Sequence, residues 1–439
     1  MTLELDDIQS GILRPRPTPY AATYLLVRID DPIDGRRLMQ RASELVASAA
    51  SATSPDRDAW VNVGLTFQGL RALGVPQASL DSFPPEFQQG MAARAAVLGD
   101  TGESAPAHWE APLGTPDVHV VFAAIAPDAE RLAARIDRAL KAIGALPGLA
   151  AIWREDCHVL ASGQEPFGFM DGVSQPAIEG SGIPGTNPDE PPLKPGEFVL
   201  GYPDELGGLP PMPTPEVLGR NGTYAVLRKV RQRVAAFRQF LKESSANPEE
   251  EEWLAAKMMG RWRSGAPLAL SPEKDDPALG ADPTRNNAFL YRDDPKGYKT
   301  PPGSHIRRAN PRDALGGGDT VRIHRVLRRR TTYGPPLPEG ALEDDGADRG
   351  QVLLFIGAHL RRQFEFVQSV WLNDSEFIGA GADRDPIAST GEGGGGFTIP
   401  RWPVRRRVQG LSRFVVTRGG EYCFMPGLRA LRWLAALGT

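Results

Sequence analysis

Strand-like and helix-like stretches alternate along the first third of the chain. Positions 20–29 are dense in strand formers, and 37–48 carry Leu38, Ala42, Leu45 and Val46 at helical spacing. Positions 60–65 return as a strand, after which Thr66 caps a short helix that stops at Gly74. Positions 85–98 predict an inserted helix. The pattern then repeats: a strand at 117–125, a helix at 131–143 with Leu132, Ile136, Leu140 and Ile143 on one face, and a strand at 150–160. A βαββαβ order predicts a ferredoxin-like unit, an antiparallel sheet with helices on one face.

Between 179 and 222 proline and glycine crowd the chain and predict a long irregular connection. A second set with larger insertions follows. It predicts strands at 224–230, 321–330, 351–356 and 422–425, and helices at 232–242, 249–262, 364–371 and 428–437. Positions 264–311 show almost no periodicity, and loops of that length inside a compact domain are usually functional or disordered. The expected class is therefore α+β, with an N-terminal ferredoxin-like domain over 1–165 and a C-terminal one over 166–439.

The 439 residues suffice to enclose a cofactor, and a formal net charge of -4 leaves no basic excess for a phosphate backbone, so nucleic acid is not an expected partner. The 2 cysteines, Cys157 and Cys423, offer no disulfide framework or metal clip and read as buried thiols. The first residues, MTLELDDIQSG, lack the marks of an export signal, and no apolar run is long enough for a membrane helix; a cytoplasmic location is the expectation.

Familiar hydrolase and nucleotide machinery is missing. The 6 histidines form no HExxH pair, no P-loop occurs, and Gly172-Val-Ser-Gln-Pro176 fails the nucleophile elbow at its last position. Two segments remain. In Phe167-Gly-Phe-Met-Asp-Gly-Val-Ser-Gln-Pro176, Asp171 sits between Phe169 and Gly172 with a further glycine at 168, which allows close backbone approach to a flat ligand. Alone, it reads equally as a turn aspartate. In Ser304-His-Ile-Arg-Arg-Ala-Asn-Pro-Arg312, one histidine precedes three arginines; alone, it reads as a structural loop histidine.

Together these segments resemble the dye-decolourising peroxidases. Gly168-Phe-Met-Asp-Gly172 is similar to that family's GxxDG signature, and the stretch from His305 to Arg312 resembles its proximal-histidine segment. His324-Arg-Val-Leu-Arg-Arg-Arg-Thr-Thr-Tyr-Gly334 resembles the strand that carries the distal arginine, which falls on Arg328; Leu353-Leu-Phe355 resembles the apolar distal wall. The likeness extends from 61–66 to 419–426, and the insertions before His305 resemble the longer bacterial and fungal branch.

The resemblance implies paired ferredoxin-like domains with haem b in the C-terminal half, hydrogen peroxide as oxidant, and dyes or phenolic and aromatic donors oxidised through high-valent iron. It implies His305 as iron ligand and Asp171 and Arg328 as the peroxide-handling pair. Phe169, Gly172, Asn310, Arg312, Leu353 and Phe355 are then expected at the cofactor. A carboxylate behind the histidine is expected at Asp385, with Asp383 as competitor, and oxidisable surface aromatics at Tyr333 and Trp371, which read equally as core residues. A haem- or iron-handling protein of the same fold with little turnover is the alternative.

Overall fold

The computed structural model describes residues 2–50, 58–316, 318–377, 383–390 and 395–438. Eight strands form one antiparallel sheet: β1 (Ala21–Ile29), β2 (Trp60–Leu65), β3 (Val120–Ala126), β4 (Leu149–His158), β5 (Thr223–Gln232), β6 (Leu327–Tyr333), β7 (Gly350–Gly357) and β10 (Val415–Met425). Their order is β4-β1-β3-β2-β10-β5-β7-β6, and β8 (Gly395–Ile399) and β9 (Arg406–Leu411) make a separate hairpin. The first four strands are neighbours, the last four are neighbours, and the halves meet where Phe424 pairs with Leu65.

One apolar core lies between the inner faces of both halves: Tyr24, Trp60 and Val121 share it with Ala225, Leu327 and Tyr333. Hydrogen bonds cross it as well, with Thr331 donating to the Tyr24 hydroxyl at 3.1 Å and the Thr332 amide donating to the Tyr20 hydroxyl at 2.8 Å. The helices Pro32–Leu45 and Ala129–Gly144 cover the outer face of the first half, each started by an aspartate whose carboxylate accepts an amide of the first turn. Cys157 and Cys423 are free and buried, as expected. Among the described residues no helix is long and apolar enough to cross a membrane.

Three expectations are corrected. The strand placed at 321–330 begins only at Leu327; Gly318–Arg322 is helical, too short to carry a helical period of its own. The helix placed at 85–98 is broken into short turns at Gly90, whose φ of 77° ends the first of them. The helix placed at 364–371 has the wide turns of a π-helix over Arg361–Glu365 and Val367–Leu372. This form often marks functional sites.

Candidate active site

The Glu165–Pro176 loop is built around one buried carboxylate. Glu165 accepts the Phe169 amide at 3.1 Å and the Gln232 side-chain amide at 2.7 Å, which ties the loop to β5. Gly168 takes a φ of 93°, and a Cβ there would stand 2.6 Å from the Arg263 guanidinium. That guanidinium lies over the Phe169 ring, 5.0 Å from its centroid, and donates to the Phe167 carbonyl. These contacts hold the turn from which Asp171 projects beside Gly172.

Each Asp171 oxygen meets a guanidinium. Arg16 donates to Oδ2 at 2.7 Å, while Arg330 donates from Nε to Oδ1 at 2.8 Å and closes a second contact from its terminal nitrogen. The Gly172 amide also donates to Oδ1, at 2.6 Å. Burial pushes the Asp171 pKa up, but Arg330 and Arg16 outweigh it and hold the carboxyl at about 2.

Strand alternation puts Arg328 and Arg330 on one face of β6, and both line the cavity. Their partners across the ladder on β7 are Phe355 and Leu353, so the expected apolar wall stands beside the expected cation. Arg328 donates to the Ser174 carbonyl at 3.2 Å. Burial, with Arg330 and Arg325 nearby, pushes its pKa down to about 10, which still leaves it a cation across the working range. Arg329 alternates to the opposite face, where it donates to the Gly11 and Ile12 carbonyls at 3.1 and 2.9 Å, and it also reaches Gln175 Oε1 of the Asp171 loop at 3.3 Å.

His305 opens the short helix His305–Ala309. Its Nδ1 lies 2.9 Å from Asp385 Oδ2, and Asp385 Oδ1 accepts the amides of Ile387 and Ala388 at 2.9 and 2.7 Å. The other ring nitrogen, Nε2, is left for a ligand in the cavity that His305 lines. Asp383 is occupied elsewhere, accepting the Thr398 amide at 2.7 Å, so Asp385 is the histidine's partner. Among the described residues no group of three or more His, Cys, Asp or Glu side chains could hold a metal ion.

The cavity between these walls encloses about 280 Å³. Phe169, Gly172, Asn310, Arg312, Leu353 and Phe355 all line it, so the expected cofactor-contacting residues are brought together. Arg312 is heavily engaged with protein acceptors, donating to Asn287 at 3.1 and 2.6 Å and stacking 3.7 Å over the Phe289 ring. Tyr333 and Trp371 are corrected as surface groups: both are 2% exposed, Tyr333 in the inter-sheet core and Trp371 against His324, 5.2 Å between ring centroids. Sequence reasoning missed Arg16, isolated between two prolines and 155 residues from Asp171, where no local signal points to it. It also missed Glu165 and Gln232, which hold the loop.

The donor set suits haem: an imidazole, His305, backed by a carboxylate, with another carboxylate, arginines and apolar residues lining the same cavity. Comparison with known proteins agrees. Residues 7–146 match the family model described as the DyP dimeric alpha+beta barrel domain. A dye-decolorizing peroxidase of Mycena epipterygia is 31% identical over 99% of this chain and 87% of its own, and one of Mycetinis scorodonius is 30% identical over 98% and 87%. A solved dye-decolorizing peroxidase in complex with 2,6-dimethoxyphenol superposes with a TM-score of 0.86 at 29% identity, covering 99% of this chain and 100% of its own. With this fold, this site and relatives matched over nearly their full length, the chain belongs to the dye-decolourising peroxidase family of haem peroxidases.

Proposed function

We propose that the cavity would hold haem b, that His305 Nε2 would bind its iron, and that Asp171 and Arg328 handle hydrogen peroxide in the same cavity. The observation that carries this reading is the pairing of His305 Nδ1 with Asp385 at 2.9 Å, with the ionised Asp171 and the cation Arg328 in the same cavity. Bound haem supplies the redox chemistry of peroxide reduction. The chain's own part is proton handling and charge.

Peroxide must lose a proton from one oxygen and gain one on the other before water can leave. Asp171 can do both. Its Oδ2 accepts one hydrogen bond, from Arg16, against three on Oδ1, so Oδ2 has the lone pair free to take that proton. Arg328 favours the deprotonated peroxide and polarises the oxygen–oxygen bond. Asp385 orients His305 and raises its basicity as a ligand. Arg312 and Asn310, which line the cavity, would be the polar groups for haem propionates.

The electron donors are dyes and phenols, in line with the 2,6-dimethoxyphenol bound in the structural relative. Tyr333 and Trp371, being buried, would relay electrons from a donor at the surface instead of touching it. The domain boundary near 165 would place the haem-holding residues in the C-terminal part. Absorption spectra of the purified haem-loaded protein, before and after one equivalent of peroxide, test the reading. A five-coordinate ferric spectrum that changes with peroxide and returns on adding a phenol is expected; a spectrum untouched by peroxide overturns it.

A further inference from the structure

Two arginines hold Asp171, and neither is the arginine expected to face peroxide. We propose that Arg16 and Arg330 act as a two-sided clamp, positioning residues that keep Asp171 ionised in acid and leave Arg328 as the cation that meets the peroxide. The inference rests on the reading of Asp171 as the peroxide base and adds the groups that control it.

The geometry argues for the clamp in three ways. First, the two guanidiniums take different oxygens, Arg16 at Oδ2 and Arg330 at Oδ1, so neutralising the carboxylate weakens both charged contacts. Second, both are held from behind. Arg16 lies 4.1 Å over the Tyr20 ring, whose hydroxyl accepts the Thr332 amide of β6; Arg330 belongs to β6 itself, paired with Leu353. The clamp thus joins the segment before β1 to β6, far apart in sequence. Third, the Arg16–Asp171 pair is shielded, with side-chain exposures of 9% and 10%, so solvent screens it weakly, while Arg330, at 31%, reaches the buried carboxylate from a half-exposed position.

Among the described residues, the charged and titratable groups that face Asp171 fit this arrangement. Arg16 precedes β1 and Tyr20 stands just before it; Glu165 lies on the Asp171 loop; Arg328 and Arg330 lie on β6. Glu165 is the only other carboxylate among them. Burial pushes its pKa up, and its oxygens are taken by the Phe169 amide and Gln232, so it competes weakly for Arg330. Arg328 feels the Asp171 charge but spends a donor on the Ser174 carbonyl, so it is no part of the clamp.

The test reads the carboxyl group directly. Infrared difference spectra between the parent and Asp171→Asn, recorded on the haem-free protein from pH 3.5 to 7, isolate the Asp171 band. In the parent this band is expected to stay that of a carboxylate throughout. In Arg330→Gln and Arg16→Gln a protonated carbonyl band is expected within the window, a rise of at least one pH unit in the midpoint, with Arg330→Lys restoring most of the parent behaviour. Circular dichroism identical to the parent secures each variant's fold. An Asp171 band that titrates alike in the parent and both glutamine variants overturns the clamp. Stopped-flow reaction of the haem-loaded protein with peroxide separates the two ideas. An acid limb that rises with the infrared midpoint joins them, whereas an Asp171→Asn protein that reacts like the parent removes the peroxide role and leaves the clamp to the infrared result.

Discussion

At the scale of single residues, the site turns on three side chains whose partners decide their chemistry. Asp171→Asn keeps the shape and loses the proton acceptor, so the rate of reaction with peroxide should fall by about 10²- to 10⁴-fold with haem still bound. Because Arg330 and Arg16 hold the Asp171 pKa at about 2, below the usual 3.8, the acid limb of the parent rate should lie near pH 2 to 3. Stopped-flow mixing checks both, and a parent limb near pH 4 or above would contradict the second. Asp385→Asn tests the other side: the backbone bonds to Ile387 and Ala388 can survive, but the imidazole loses its anionic partner. Haem affinity should weaken roughly 10- to 100-fold, and the ferric–ferrous potential should rise. Competitive haem transfer and spectroelectrochemistry read those changes; values equal to the parent would return Asp385 to a purely structural role.

At the scale of elements, β6 shows how much was legible and where legibility stopped. Alternation along Leu327–Tyr333 identifies Arg328 and Arg330 as one face from sequence alone, and β7 supplies Leu353 and Phe355 beside them. The start of β6 was not legible, since an arginine-rich stretch carries no hydrophobic period. The β8–β9 hairpin was missed for the same reason: β9 is Arg406-Arg-Val-Gln-Gly-Leu411, with only two buried positions. The π-helical turns escaped because they keep the composition of an ordinary helix. The two faces of β6 should answer differently to mutation. Arg328→Leu should keep the haem spectrum and slow the peroxide reaction by about 10²- to 10³-fold, the scale of removing one charge-stabilising donor. Arg329→Ala should leave that rate intact and cost about 1–3 kcal/mol in denaturant unfolding, since the buried Gly11 and Ile12 carbonyls lose their donor. Slowed peroxide chemistry in the alanine variant would mean that the faces are not separate.

At the scale of the whole molecule, the two half-sheets share one core, and a buried acid on the strand that joins them makes stability depend on pH. Glu421 on β10 is pushed up to about 8 by burial, with the Gly114 amide at 2.5 Å as its partner. The folded state therefore holds a proton that the unfolded chain releases above about 4.5, so this group's contribution falls as pH rises from 4.5 to 8. Thermal melts of Glu421→Gln across that range should decline less steeply than those of the parent. A decline as steep as the parent's would assign the dependence to other groups.

The placement of β10 also bears on how the protein comes into being. Among the described residues, the sheet's last strand in chain order lies in its middle, between β2 and β5, where it bridges the two halves. Until residues 415–425 leave the ribosome, the edges of β2 and β5 stay unpaired and the cavity has no closed frame. A chain stopped by a premature termination codon before position 415 would display two open strand edges, the kind of surface that cellular quality control captures and degrades.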